Sequence, residues 1–143
     1  MYASGYCGES GEGGWAFVVA HDDGCRCSWG KSHQLTTQKA MELQSVVKAI
    51  EFSNETPEVC CIVSESAYVI NGIHKWLDKW ANNDWLTATH NPVKHTQLWR
   101  SIYNNSSGKV FELNTDLNNF HFKIAAKLAH EAALDLVVDF ADI

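Results

Sequence analysis

MYASGYCGESGEGGWAFVVAHDDGCRCSWGK, residues 1–31, decides the fold. Three short runs within it, 2–7, 14–20 and 24–30, read as strands. Gly11, Gly13 and Gly14 mark a turn between the first two, and the run from His21 to Gly24 marks the next. Turns this short join neighbouring strands antiparallel. The opening is therefore a three-stranded antiparallel meander.

Working outward, residues 36–53 predict a helix. Thr36 or Thr37 can cap it, and Met41, Leu43, Val46, Val47 and Ile50 give it an apolar face. Residues 59–64 form a short apolar run before a polar break, which suits a strand buried on both faces. Residues 64–80, SESAYVINGIHKWLDKW, are helical with an interruption at Gly72. Asn82, Asn83 and Asp84 make a turn, and Asn91-Pro92 opens a helix to about Tyr103. A loop follows over 104–108, then a fifth strand over 109–113 and a last helix from Asn119 to Val137. The expectation is an α/β fold with a five-stranded mixed sheet, three antiparallel strands first, flanked by helices. There is no internal repeat or low-complexity tract, so residues 1–143 are expected to form one domain.

The charge balance narrows the choice of partners. Eleven basic residues stand against 17 acidic ones, a net charge of -6. Phosphate-gripping proteins usually carry the opposite excess, so any nucleic-acid contact must rest on a local patch. No apolar run is long enough to span a membrane, and no leader pattern is visible, so the expected location is the cytoplasm. The five cysteines, Cys7, Cys25, Cys27, Cys60 and Cys61, show no CxxC spacing. Cys25-Arg26-Cys27 and Cys60-Cys61 fall in strands, where thiols usually serve as small buried hydrophobes rather than zinc ligands.

Four stretches carry a family resemblance. They are YASGYC with GGWAFVV in the opening hairpin, TTQKAMEL (36–43), SESAYVINGIHKWLDKW (64–80) and DWLTATHNPVKHTQLW (84–99). In these the chain resembles the type 1 ribonucleases H, over nearly its whole length. The resemblance implies a ribonuclease H-like fold. It also implies cleavage of RNA in an RNA/DNA hybrid with Mg²⁺ or Mn²⁺. Two cations about 4 Å apart repel strongly, and several carboxylates are needed to hold both. The family uses three Asp and one Glu, with a mobile His nearby.

Carried over by position, the family's Glu is Glu42. The Asp that ends the fourth strand falls on Glu65, whose extra methylene moves the carboxylate by about 1.5 Å. The other two Asp positions fall on Ser4 and Ala126, and the His position falls on Asp116. The candidate catalytic set is thus Glu42, Glu65 and Asp116, with Glu42 and Glu65 as metal ligands. Asp116 can equally be a loop or capping residue. His130, one turn past Ala126, offers an alternative Glu/His metal site. For substrate, the resemblance implies Cys7, Thr37 and Gln38 near the hybrid, and Trp76, Trp80 and Lys94 in the handle that tracks the DNA strand. The tryptophans can equally pack the handle helices against the core.

Three functions compete. The first is a catalytically silent domain that binds an RNA/DNA hybrid or a partner protein through the preserved scaffold. The second is a working metal-dependent nuclease built on Glu42 and Glu65. The third is an accessory domain beside a larger nucleic-acid enzyme. None calls for a small-molecule cofactor or a membrane.

Overall fold

The computed structural model describes residues 1–21, 24–56 and 61–135. Strands β1 (Tyr2–Cys7), β2 (Gly13–His21) and β3 (Gly24–Lys31) form the expected meander. β1 also pairs in parallel with β4 (Cys61–Ser64), and β4 pairs in parallel with β5 (Val110–Leu113). The sheet order is β3-β2-β1-β4-β5. α1 (Gln38–Glu55) covers one face of this sheet. α5 (Phe120–Ala133) covers β1, β2 and β3 on the other. β2 shows why its sequence is apolar at nearly every position. Phe17 packs on Phe52 of α1, while the neighbouring strand positions Ala16 and Val18 are buried on the α5 side.

Between β4 and β5 lies a helical handle. It consists of α2 (Ala67–Asn71), a wide π turn (Gly72–Trp76), α3 (Leu77–Ala81) and α4 (Thr96–Asn105). The interruption expected at Gly72 is this π turn. A Cβ there would stand 2.2 Å from the Trp99 ring, so the glycine lets the fully buried indole pack on the helix backbone. Trp99, Leu43, Val46, Ile50, Ile62 and Ile102 lie at the centre of the core. Among the described residues no helix is long and apolar enough to cross a membrane.

Several expectations need correction. Gly13 belongs to β2 rather than to the turn, and Gly14 lies in the strand as the run 14–20 predicts. Both are buried, and an added Cβ would strike Thr36 and Met41 from Gly13 or the Ala129 carbonyl from Gly14. They are glycines because helices press on the strand from both faces. Gly11, at φ 90°, does the turning. The helix expected from Asn91-Pro92 begins only at Thr96. Pro92 instead bridges to Leu86, the Val93 N–H is taken by the Trp85 carbonyl, and His95 turns the chain at φ 58°. Thr37 is the N-cap of α1, and its hydroxyl accepts the Ala40 N–H. The last described helix ends at Ala133, with residues 136 and 137 of the expected span outside the described residues. So are Asp22 and Asp23 of the second turn and residues 59 and 60 of the fourth strand. Cys25 and Cys27 are exposed on β3 rather than buried, β3 being the edge strand of the described sheet.

The closest backbone approach is at Gly5 in the centre of β1. A Cβ there would lie 2.3 Å from the Met41 carbonyl carbon and 2.4 Å from the Glu42 nitrogen. Neither backbone can yield without separating strand from helix. Gly5→Ala is therefore expected to cost about 3 kcal/mol, read as a lowered midpoint in urea denaturation.

Candidate active site

Beside the middle of β1 and the end of β4, Ser4, Glu42, Ser64, Glu65 and Ser66 line a cavity of about 190 Å³, joined by Ala3, Gly5 and Gln38. Sequence positions 4, 42 and 65 thus do converge. Glu42 reaches the cavity from the second turn of α1, and both its oxygens are engaged. Ser66 Oγ donates to Oε2 at 2.5 Å, and Gln38 Nε2 donates to Oε1 at 3.1 Å. Gln38 also donates to the Gly5 carbonyl at 2.8 Å and accepts the Cys7 N–H at 2.8 Å. Its carboxamide therefore ties β1 to α1 and to Glu42. Ser66 has a second task, since its hydroxyl accepts the Val69 N–H and caps α2. Sequence reasoning missed Ser66, although a serine directly before a helical run is a visible capping signal.

Glu65 is exposed at the end of β4, where Asn114 Nδ2 approaches its Oε1 at 3.4 Å. The same amide donates to the Asp116 carbonyl at 3.0 Å. Asp116 does not line the cavity. Its Oδ1 accepts the Asn118 N–H at 2.9 Å, an Asx turn that shapes its own loop. Ala126 is exposed on α5 and also lies outside the cavity lining. The histidines on either side of it are packed on β1. His121 stacks on Tyr2 at 4.9 Å, and His130 lies against Tyr6 at 4.3 Å. His130 is therefore not a partner of Glu42 and Glu65. Among the described residues, no group of three or more His, Cys, Asp or Glu side chains is placed to hold a metal ion.

The expected substrate residues separate into two kinds. Cys7, Thr37 and Gln38 surround the start of α1 and carry internal bonds. The Cys7 thiol donates to the Thr36 carbonyl at 3.3 Å. Trp80 is half-buried and packs edge-on against Trp99 at 5.1 Å, so it is a core residue of the handle. Trp76 is different. It is 49% exposed, and Lys79 Nζ stands 5.0 Å from its ring centroid. With Lys39, Tyr68 and Lys94 it lines a groove of about 370 Å³. Burial, then Lys94 and then Lys39, hold the His95 imidazole below its ordinary pKa. The two lysines thus concentrate positive potential beside Trp76, on a chain of net charge -6. The family resemblance put Lys39, with Thr37 and Gln38, where the hybrid's minor groove is contacted, with a solvated helix start as the other reading.

These bonds assign Glu42 a structural load. Glu42→Gln weakens two charge-assisted hydrogen bonds and is expected to cost about 2 kcal/mol in chemical denaturation. Glu65→Gln, at an exposed position, is expected to change stability by less than about 0.5 kcal/mol.

Comparison with known proteins bears on the whole scaffold. The RNase H family model matches residues 1–114, which leaves Asp116 and Ala126 outside the match. A ribonuclease H of Ehrlichia ruminantium (strain Gardel) is 41% identical over 103 residues, 71% of this chain and 69% of that protein. The foamy viral protease-reverse transcriptase, solved in complex with an RNA/DNA hybrid, superposes with a TM-score of 0.77 at 19% identity. The superposition covers 94% of this chain and 20% of that chain. LC9-RNase H1, described as a type 1 RNase H with the type 2 active-site motif, superposes with a TM-score of 0.71 at 21% identity. It covers 95% of this chain and 72% of that one. Matched in sequence from β1 to β5 and in structure through α5, this chain belongs to the ribonuclease H family.

Proposed function

We propose that this chain is a ribonuclease H-family domain that no longer cleaves and that binds an RNA/DNA hybrid through its handle groove. The observation that carries this reading is the engagement of Glu42. A pair of divalent ions needs several free anionic oxygens converging on one point. The cavity supplies two carboxylates, and Glu42 already spends both oxygens on Ser66 and Gln38. Ser4 brings a neutral hydroxyl, while Asp116 and Ala126 stand outside. This donor set does not fit the metal pair that the family resemblance implies, and no hydrolytic step follows from it.

Binding asks less of the site than cleavage. An exposed indole can stack on a base or lie against a sugar, and nearby lysines can neutralise phosphates. Trp76, Lys39 and Lys94 supply these features. The foamy viral relative solved with a hybrid supports the choice of ligand. Thr37, exposed at the start of α1, and the neighbouring Gln38 and Cys7 extend the same surface. Acting alone or beside a larger nucleic-acid enzyme, such a domain would mark or shield hybrids rather than destroy them.

The deciding experiment incubates an end-labelled RNA/DNA hybrid with the protein and with Glu42→Gln, in Mg²⁺ and in Mn²⁺. No cleavage by either protein is the expected result. Cleavage that disappears with Glu42→Gln would overturn the reading and restore the nuclease. Hybrid binding, followed by fluorescence anisotropy, is expected to weaken by about tenfold in Trp76→Ala. Lys94→Ala is expected to reduce the slope of log affinity against log salt by about 1.

A further inference from the structure

β3 carries a pair of thiols that hybrid binding does not use. Cys25 pairs with Ala20 and Cys27 with Val18 across the β2–β3 ladder. The period of two puts both cysteines on one face of the strand. Arg26, between them, points the other way and holds its guanidinium 5.7 Å from the Phe52 ring centroid. Among the described residues nothing pairs beyond β3 in the sheet order, and both thiols are exposed and outside any disulfide. Two residues apart on an extended strand, their Cα atoms stand about 7 Å apart, within reach of a shared ion. Partial burial and then the nearby Cys25 push the Cys27 thiol above its ordinary pKa.

The other cysteines are placed differently. Cys7 is half-buried and donates to the Gly8 and Thr36 carbonyls. Cys61 is half-buried in β4, and Cys60 lies outside the described residues. The Cys25–Cys27 pair is thus the exposed thiol pair of the described structure.

Two neighbouring sulfurs on one strand face define the ion they can take. Structural zinc asks for four tetrahedral donors. Among the described residues no third His, Cys, Asp or Glu joins these two in a metal-holding group. A soft ion content with two thiolates has no such need, and thiolate ligands select soft ions over hard ones. We propose that Cys25 and Cys27 together bind one thiophilic monovalent ion of the Cu(I) class at the free edge of β3. On binding, both S–H bonds break and two metal–sulfur bonds form. Two protons leave to solvent, and no electron changes hands. The product is a bis-thiolate carrying one negative charge. It sits on the face of β3 next to α5, away from the cavity at Glu42 and from the handle. Ion binding and hybrid binding are therefore separable.

Silver(I) is a redox-inert probe for this ion class. The full chain is titrated with Ag(I) in nitrate buffer, bound ions are counted by native mass spectrometry, and proton release is followed. Maleimide labelling then reports which thiols are covered. One tightly held ion is expected per chain, with two protons released and with Cys25 and Cys27 protected together at the same equivalent. Cys25→Ser and Cys27→Ser should each weaken binding about a hundredfold, the advantage of a second tethered ligand. Cys7→Ser should leave it unchanged. Both test positions are exposed, and unaltered circular dichroism confirms that each variant is folded. Affinity that survives in either serine variant, or protection of the two thiols at different equivalents, would overturn the proposal in favour of independent thiols.

Discussion

The contact between Gly5 and α1 sets the geometry of everything around the candidate site. Because β1 has no side chain at its centre, the helix lies on the strand backbone itself. That closeness lets the Gln38 carboxamide span from the Gly5 carbonyl to Glu42 and also accept the Cys7 N–H. Glu42 in turn holds Ser66, and Ser66 starts α2. Strand, helix and handle are therefore linked through one carboxylate and one carboxamide. A half-buried carboxylate with hydrogen-bond partners on both oxygens is stable where a lone one would not be.

The opposite side of β1 is joined to α5 by rings instead of charges. Tyr2 on His121 and Tyr6 against His130 bracket the strand position held by Ser4 and the helix position held by Ala126. Carboxylates gathered at this junction would repel one another and would need cations between them. With Ser4 on the strand and Ala126 exposed on the helix, no such repulsion arises, and the aromatic pairs close the joint together with buried Phe122, Ala125 and Ala129.

Much of the scaffold was legible in the sequence because it follows from local rules. Short runs broken by turn residues gave the meander, and the apolar face from Met41 to Ile50 gave α1. Gly72 was rightly read as a break in a helix. Errors arose where tertiary contact overrides local preference. Gly13 resembles a turn residue, yet it is a strand residue pressed by Thr36 and Met41. Asn91-Pro92 resembles a helix start, yet the Val93 N–H is claimed by the Trp85 carbonyl. The convergence of positions 4, 42 and 65 followed from the family pattern. That Gln38 is spent internally did not, because a glutamine at a helix start reads the same whether it faces ligand or backbone. Trp76 and Trp80 were likewise inseparable by spacing, and only packing on Trp99 distinguishes them.

The wide turn from Gly72 to Trp76 explains that distinction. Where it hands over to α3, the backbone at Trp76 leaves helical geometry, at φ -120° and ψ -26°. Residues four apart on a regular helix share a face, but here one indole goes to the core and the other to solvent. A π turn is a helix that has absorbed an extra residue, an arrangement common where ligands bind. Its consequence is preorganisation. The Trp76 ring is aimed outward by the backbone and steadied by Lys79 before any ligand arrives. A flat partner that meets it has little side-chain freedom left to quench, so the entropy of ordering is met during folding rather than at the encounter.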